Sequence, residues 1–226
     1  MKVFAIIPSG GTGKRMNHLL PKQYIKFNEK ELIAYTLEIF QRCKLIDEVI
    51  IASQKDFFNL LKDIKEKYSF TKLLRIVEGG EERQNSVFNA LKSIKAEKND
   101  LVVVHDAVRP LLPENILIQA IETAKNFGSA VVAIKAKDTL IKGSDSVITF
   151  VDRKEIFYAQ TPQIFRYEIL FDAMTKAEKE NFIGTDESML VQRAGYKVKI
   201  VEGSSLNFKI TNQDDIKLFE LICGRF

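Results

Sequence analysis

Hydrophobic residues along this chain follow two alternating rhythms. Short apolar runs alternate with longer stretches in which apolar positions recur every three or four residues. The first rhythm suits a strand buried on both faces, the second a helix with one face on a core. The runs at 3–7, 49–52, 73–77, 101–104 and 130–134 predict strands, and residues 101–104 read Leu-Val-Val-Val. Helical spacing over 31–43, 57–68, 85–94 and 114–127 places a helix after each of the first four. Strand and helix in strict alternation imply βαβ units, and their right-handed crossovers imply a doubly wound, mostly parallel α/β sheet.

The rhythm changes after residue 135. Residues 139–142, 143–146 and 147–150 read as strand, turn and strand. A two-stranded ribbon has little core of its own, so this arm is expected to pack against another surface, a second subunit above all. Helical spacing returns over 167–179, 186–193 and 214–223. With no repeat, low-complexity tract or linker, the expectation is one domain over 1–226 carrying a β-arm at about 136–158.

Composition narrows the setting. The 226 residues are 46% hydrophobic and 28% charged, enough to build a core without staples. Cys43 and Cys223 form no CxxC motif, which points to free thiols in a reducing cytoplasm. The apolar run near residue 3 is too short for a signal peptide, and none approaches the roughly 20 residues that span a bilayer. A net charge of +4 with interspersed signs forms no basic block, so neither nucleic acid nor membrane is an expected partner. It suits a pocket for several phosphates.

The candidate chemistry lies where strands end. Pro8-Ser9-Gly10-Gly11-Thr12-Gly13-Lys14-Arg15-Met16 follows the first strand, where open α/β sheets bind ligands. Its glycines let the backbone approach a phosphate and its N–H groups form an anion nest. Pro8 and Arg15 exclude a P-loop, and Met16 stands where a dinucleotide fingerprint needs its third glycine. Lys22, just beyond, is a cation for a triphosphate, or taken alone a solvated lysine. Gly79 to Ser86 joins a strand end to a helix start and offers Arg83 and Ser86 to a nucleotide, or simply a turn and a cap.

His105-Asp106-Ala107-Val108-Arg109-Pro110 ends the most strand-like run. Asp106 there is a carboxylate for Mg²⁺, which takes one or two carboxylates plus phosphates, or else an ion-pair partner for Arg109. His105 reads as a buried structural histidine. Segments 137–139, 151–153, 160–163 and 207–211 are polar beyond the needs of packing, and each singly reads as a solvated loop or edge strand.

In order and spacing, PSGGTGKRM, PKQY, GGEERQNSV, HDAVRP, KDT, VDRKEIFYAQTPQIF, TDES and NFKIT resemble the 2-C-methyl-D-erythritol 4-phosphate cytidylyltransferases of the non-mevalonate isoprenoid pathway, from residue 3 to about 221. The resemblance implies a Rossmann-like nucleotidyltransferase fold, a homodimer joined through the arm, and Mg²⁺ or another divalent cation. The implied reaction joins CTP to the sugar-alcohol phosphate and releases pyrophosphate. The resemblance gives Ser9, Gly10, Gly11, Gly13, Gly80, Glu81, Arg83 and Ser86 to the nucleotide. Arg15 and Lys22 would stabilise charge on the α-phosphate and the leaving pyrophosphate. Asp106 would organise metal and substrate hydroxyls, while Arg109, Thr139, Arg153, Thr161 and Lys209 would hold the acceptor, Arg153 (from the neighbouring subunit) and Lys209 aiming its phosphate at the α-phosphorus.

Two departures stand out. Ser9-Gly10 replaces a frequent Ala-Ala, and Phe208 replaces the usual isoleucine beside Lys209. The competing readings are a ribitol-5-phosphate cytidylyltransferase and a non-catalytic nucleotide-binding protein on the same fold.

Overall fold

The structure, a computed structural model, describes residues 1–11 and 20–224. A seven-stranded sheet runs through it in the order β11-β7-β10-β6-β1-β4-β5. Here β1 is Val3–Pro8, β4 Glu48–Ser53, β5 Leu73–Glu78, β6 Leu101–Val104, β7 Ser129–Lys135, β10 Phe157–Arg166 and β11 Lys199–Glu202. All neighbours pair in parallel except β10, which is antiparallel to both β6 and β7.

Side-chain alternation along each strand divides the core between the two faces of the sheet. Val3, Ala5 and Ile7 of β1 point to one face with Leu101 and Val103 of β6. Helices α1 (Leu32–Arg42), α2 (Phe58–Lys67) and α4 (Glu114–Phe127) cover that face. Phe4 and Ile6 point the other way with Val102 and Val104, under α3 (Arg83–Ser93), α5 (Tyr167–Lys179) and α6 (Glu187–Arg193). A strand buried on both faces reads as an unbroken apolar run, which is why 101–104 was so legible.

A third, smaller cluster joins Phe27, Leu32, Val108 and Ile210 to Phe219 of α7 (Gln213–Cys223). Helix ends are closed locally. Asn212 accepts from Asp215 N at 2.9 Å and Asp215 answers to Asn212 N, a reciprocal cap on α7. Helix α4 stops at Gly128, whose φ of 87° lies in the left-handed region that glycine adopts without strain.

Three features depart from the sequence expectation. Residues 160–163, read singly as a solvated loop or edge strand, lie buried inside β10 between β6 and β7. Polar composition hid a central strand because Gln160, Thr161 and Gln163 all find hydrogen-bond partners there. The pairing with β7 shifts between Ala159 and Gln163, around Pro162, which has no N–H to give. Edge strand β11 and the short hairpin of β2 (Lys26–Phe27) with β3 (Lys30–Glu31) were also not foreseen.

The ribbon is present as β8 (Leu140–Gly143) paired with β9 (Val147–Val151), a separate sheet between β7 and β10. Among the described residues, no helix is long and apolar enough to cross a membrane.

Candidate active site

A cavity of about 570 Å³ opens at the carboxyl ends of β1, β4 and β6. The chain leaves β1 for β4 and β5 on one side, then returns to β6 on the other. That reversal opens the crevice in which doubly wound sheets take their ligands. Four segments line it: Pro8 to Gly11, Gly80 to Arg83 with Ser86, Asp106 to Val108, and Lys209 with Thr211. Lys22, Gln23 and Gln54 complete the wall.

The loop after β1 is tied down by side chains from outside it. Gln23 Nε2 donates to Ser9 O at 2.7 Å and Gly11 O at 3.0 Å, and Gln54 Nε2 to Gly10 O at 3.2 Å. Three carbonyl oxygens are thereby removed from the surface offered to an anion. Ser9 Oγ meets Tyr24 Oη at 3.0 Å, and Tyr24 Oη meets Ser53 Oγ at 2.7 Å. The serine that departs from the family pattern thus joins a buried chain of hydroxyls. Gly13 and Arg15 lie outside the described residues.

The segment after β5 is shaped by close approach. A side chain at Gly80 would stand 2.3 Å from Asn85 Cβ, so the first turn of α3 requires glycine there. Ser86 Oγ accepts from Gly80 N at 3.0 Å and donates to Glu82 O at 3.1 Å, fixing the turn. The plain reading, a turn and a cap, is present, and Gly80, Glu81 and Ser86 also face the cavity.

Asp106 is the electrostatic centre. Arg83 Nε lies 3.2 Å from Oδ1, while Arg109 Nε at 3.2 Å and Lys209 Nζ at 3.1 Å share Oδ2. Burial pushes this carboxyl up, but Arg83, Lys209 and Arg109 outweigh it and hold it well below the usual carboxylate range. Arg83 also places Nη1 2.7 and 2.8 Å from the two oxygens of Glu187, which is buried. Burial disfavours the Arg83 charge, yet Glu187 and Asp106 more than offset that. Burial also drives the Glu187 carboxyl up against the pull of Arg83.

With Arg83, Arg109 and Lys209 around Asp106 and Glu187, three positive groups meet two negative ones. Glu81 and Glu82 on the same wall, set against Lys22, leave its described charges evenly balanced. Lys22 Nζ donates to Ile210 O at 2.8 Å, which ties it to the segment carrying Lys209. Bulky Phe208 packs into the third cluster, and Lys209 still reaches Asp106.

His105 is fully buried, with Nε2 3.1 Å from Arg109 O and Nδ1 3.0 Å from Thr161 Oγ1. Burial pushes its pKa down to about 4, so it is a neutral, satisfied histidine, as the sequence reading had it. The Asp106–Arg109 ion pair, the plainer of the two readings of that motif, is also present. Arg109 and Thr161 are buried and do not line the cavity. Thr139 and Arg153 are exposed at the base of the arm, Arg153 donating to Lys137 O, and neither reaches the cavity wall.

Sequence reasoning missed Gln23, Gln54, Glu187 and Asn207. Gln23, Glu187 and Asn207 lie inside motifs already singled out, but Gln54 carried no signal. Among the described residues, no group of three or more His, Cys, Asp and Glu side chains is set to hold a metal ion.

The profile of the 2-C-methyl-D-erythritol 4-phosphate cytidylyltransferase family matches residues 3–225. The chain belongs to this family. The cytidylyltransferase of Syntrophus aciditrophicus is 41% identical over 222 residues, 97% of this chain and 94% of that one. Its counterpart from Clostridioides difficile is 40% identical, covering 96% and 92%. The crystal structure of 4-diphosphocytidyl-2C-methyl-D-erythritol synthase from Anaerococcus prevotii superposes with a TM-score of 0.86 at 31% identity, over 99% of both chains. Likeness of fold and likeness of sequence thus extend over the same whole chain.

Proposed function

We propose that the protein joins CTP to 2-C-methyl-D-erythritol 4-phosphate, giving 4-diphosphocytidyl-2-C-methyl-D-erythritol and pyrophosphate in isoprenoid precursor synthesis. One observation carries the reading beyond family membership: a cavity of about 570 Å³ whose wall sets Arg83 and Lys209 on Asp106 and adds Lys22, with Arg109 buried behind.

The acceptor's phosphate oxygen attacks the α-phosphorus. A new P–O bond forms, the α–β anhydride bond breaks, and its electron pair leaves with pyrophosphate. Two polyanions must meet, so repulsion is the main obstacle and fixed cations the remedy. In this proposal Gly10, Gly11, Gly80, Glu81, Arg83 and Ser86 cradle the nucleotide, with Ser9 and Gly13 in the same loop. Arg15 and Lys22 neutralise the charge that grows on the α-phosphate and the leaving group. Lys209, with Arg153 supplied by a second copy of the chain, draws the acceptor's phosphate toward the α-phosphorus, while Arg109 holds Asp106 from behind. Each well-placed donor at a dry site is worth roughly 2.7–4 kcal/mol of transition-state stabilisation.

Asp106, the carboxylate at the end of β6 on a cavity wall that also carries Glu81 and Glu82, fits Mg²⁺, which takes its remaining ligands from phosphates and water. Asp106 is the residue that would hold it, exchanging one of its cation partners, and the ion would supply further charge neutralisation.

Thr139 and Arg153 belong to the arm, and the reading supported by their exposure is a homodimer in which they serve the partner's cavity. The exposed apolar side chains Ile141, Ile148 and Phe150 give that dimer its contact. The setting proposed is the cytoplasm, with CTP and a sugar-alcohol phosphate as partners and no nucleic acid or membrane.

Pyrophosphate release with CTP and Mg²⁺, comparing methylerythritol 4-phosphate with ribitol 5-phosphate, tests the proposal. Turnover confined to the first is expected. Turnover with ribitol phosphate alone overturns the acceptor, and CTP binding without release from either leaves a non-catalytic nucleotide-binding protein.

A further inference from the structure

Asp106 and Arg109 sit on one short loop, and that loop closes through His105. The His105 Nε2 atom faces Arg109 O at 3.1 Å, and a carbonyl only accepts, so Nε2 carries the ring proton. The opposite nitrogen, Nδ1, is then a bare acceptor. Thr161 Oγ1, 3.0 Å away, donates its single proton to it. The same oxygen accepts from Asp106 N at 3.1 Å. A chain of one direction results: Asp106 N–H to Thr161 Oγ1–H to His105, and from His105 Nε2–H to Arg109 O.

Thr161 is tied to Arg109 by a second route. Its carbonyl accepts from Asn207 Nδ2 at 2.7 Å, and Asn207 O accepts from Arg109 Nη1 at 2.7 Å. The hydroxyl's one proton is spent on His105, the side chain is 4% exposed, and it is absent from the cavity wall. These are the surroundings of a strut.

We propose that Thr161, with His105 behind it, is a positioning residue that sets Asp106 and Arg109, and does not itself grip the acceptor. This departs from the role that the resemblance implied for Thr161, and it rests on the site assignment above. Asp106 links Arg83 on the nucleotide side to Lys209 and Arg109 on the acceptor side. An error in its placement is therefore felt by CTP before any acceptor is present.

Thr161→Val removes the hydroxyl at nearly constant shape and leaves His105 Nδ1 and the Asp106 amide unpaired; Thr161→Ser keeps the chain. Titration calorimetry with CTP and Mg²⁺, no acceptor added, should show affinity falling roughly tenfold in the valine variant and recovering in the serine variant. Unchanged CTP affinity in the valine variant, with or without a higher KM for methylerythritol phosphate, overturns the proposal. Wild-type protein gives a check independent of folding defects: ¹⁵N NMR of His105 should report the Nε2–H tautomer, unmoved by saturating acceptor. A signal that shifts as Nδ1 loses its donor when acceptor binds would mean that Thr161 turns to the substrate, again overturning it. Wild-type protein that turns over neither acceptor would undo the proposed function while leaving the tautomer measurement standing.

Discussion

Asp106 and the apolar tip of the arm stand at opposite extremes. Asp106 is 7% exposed, a charge taken out of water and balanced by three cations. Ile148 and Phe150 are 72% and 69% exposed, large apolar groups left in water. A buried charge is tolerable only when paired, so the residues around Asp106 form a unit that one chain completes for itself. A contiguous exposed apolar surface marks a contact still to be made. The ion pairs of Asp106 are thus complete within the chain, whereas the apolar side chains of the arm are left uncovered by it.

The comparison can be broken at four points. Phe165, fully buried in β10, should cost about 3–5 kcal/mol when cut to alanine, read as a lower midpoint in urea unfolding. The same change at Phe150 on the arm should leave monomer stability within about 0.5 kcal/mol, and an equal loss there would erase the contrast.

Next in size, Lys22→Ala should fold normally by circular dichroism yet lose about 10²–10³-fold in kcat, as for loss of one aimed donor. Near wild-type turnover in the folded variant would remove Lys22 from the chemistry. Phe150→Asp should move the protein from a two-chain to a one-chain mass by light scattering, with activity falling alongside. An unchanged mass would take the dimer contact away from the arm. Smallest is Asn212→Ala, which should cost about 1 kcal/mol in a thermal melt by uncapping α7, with little effect on turnover.

Much of this was readable in advance, for physical reasons that also explain the failures. Strand 101–104 and helices 114–127 and 167–179 carry their own periodicity, so neighbours a few residues apart declare them. Strand β10 did not declare itself, because Gln160, Thr161 and Gln163 are polar and their partners lie at Ser204, His105 and Asp186. Gln54 is equally silent in sequence: its use depends on where Gly10 O lies after β4 has paired with β1. Glu187 was visible as part of a motif, but its bond to Arg83 joins residues 104 positions apart.

The sequence by itself determined the alternation of strands and helices, the loops at which ligands enter, and the family to which those loops point. Each depends on local periodicity or on an ordered run of motifs, and both are carried in the linear chain. Only the tertiary structure decided that Asp106 is shared among Arg83, Arg109 and Lys209, and that Thr161 faces His105. It likewise decided that a polar segment lies at the centre of the sheet. A hydrogen bond or ion pair depends on a few ångströms in space, and distance along the chain does not encode that.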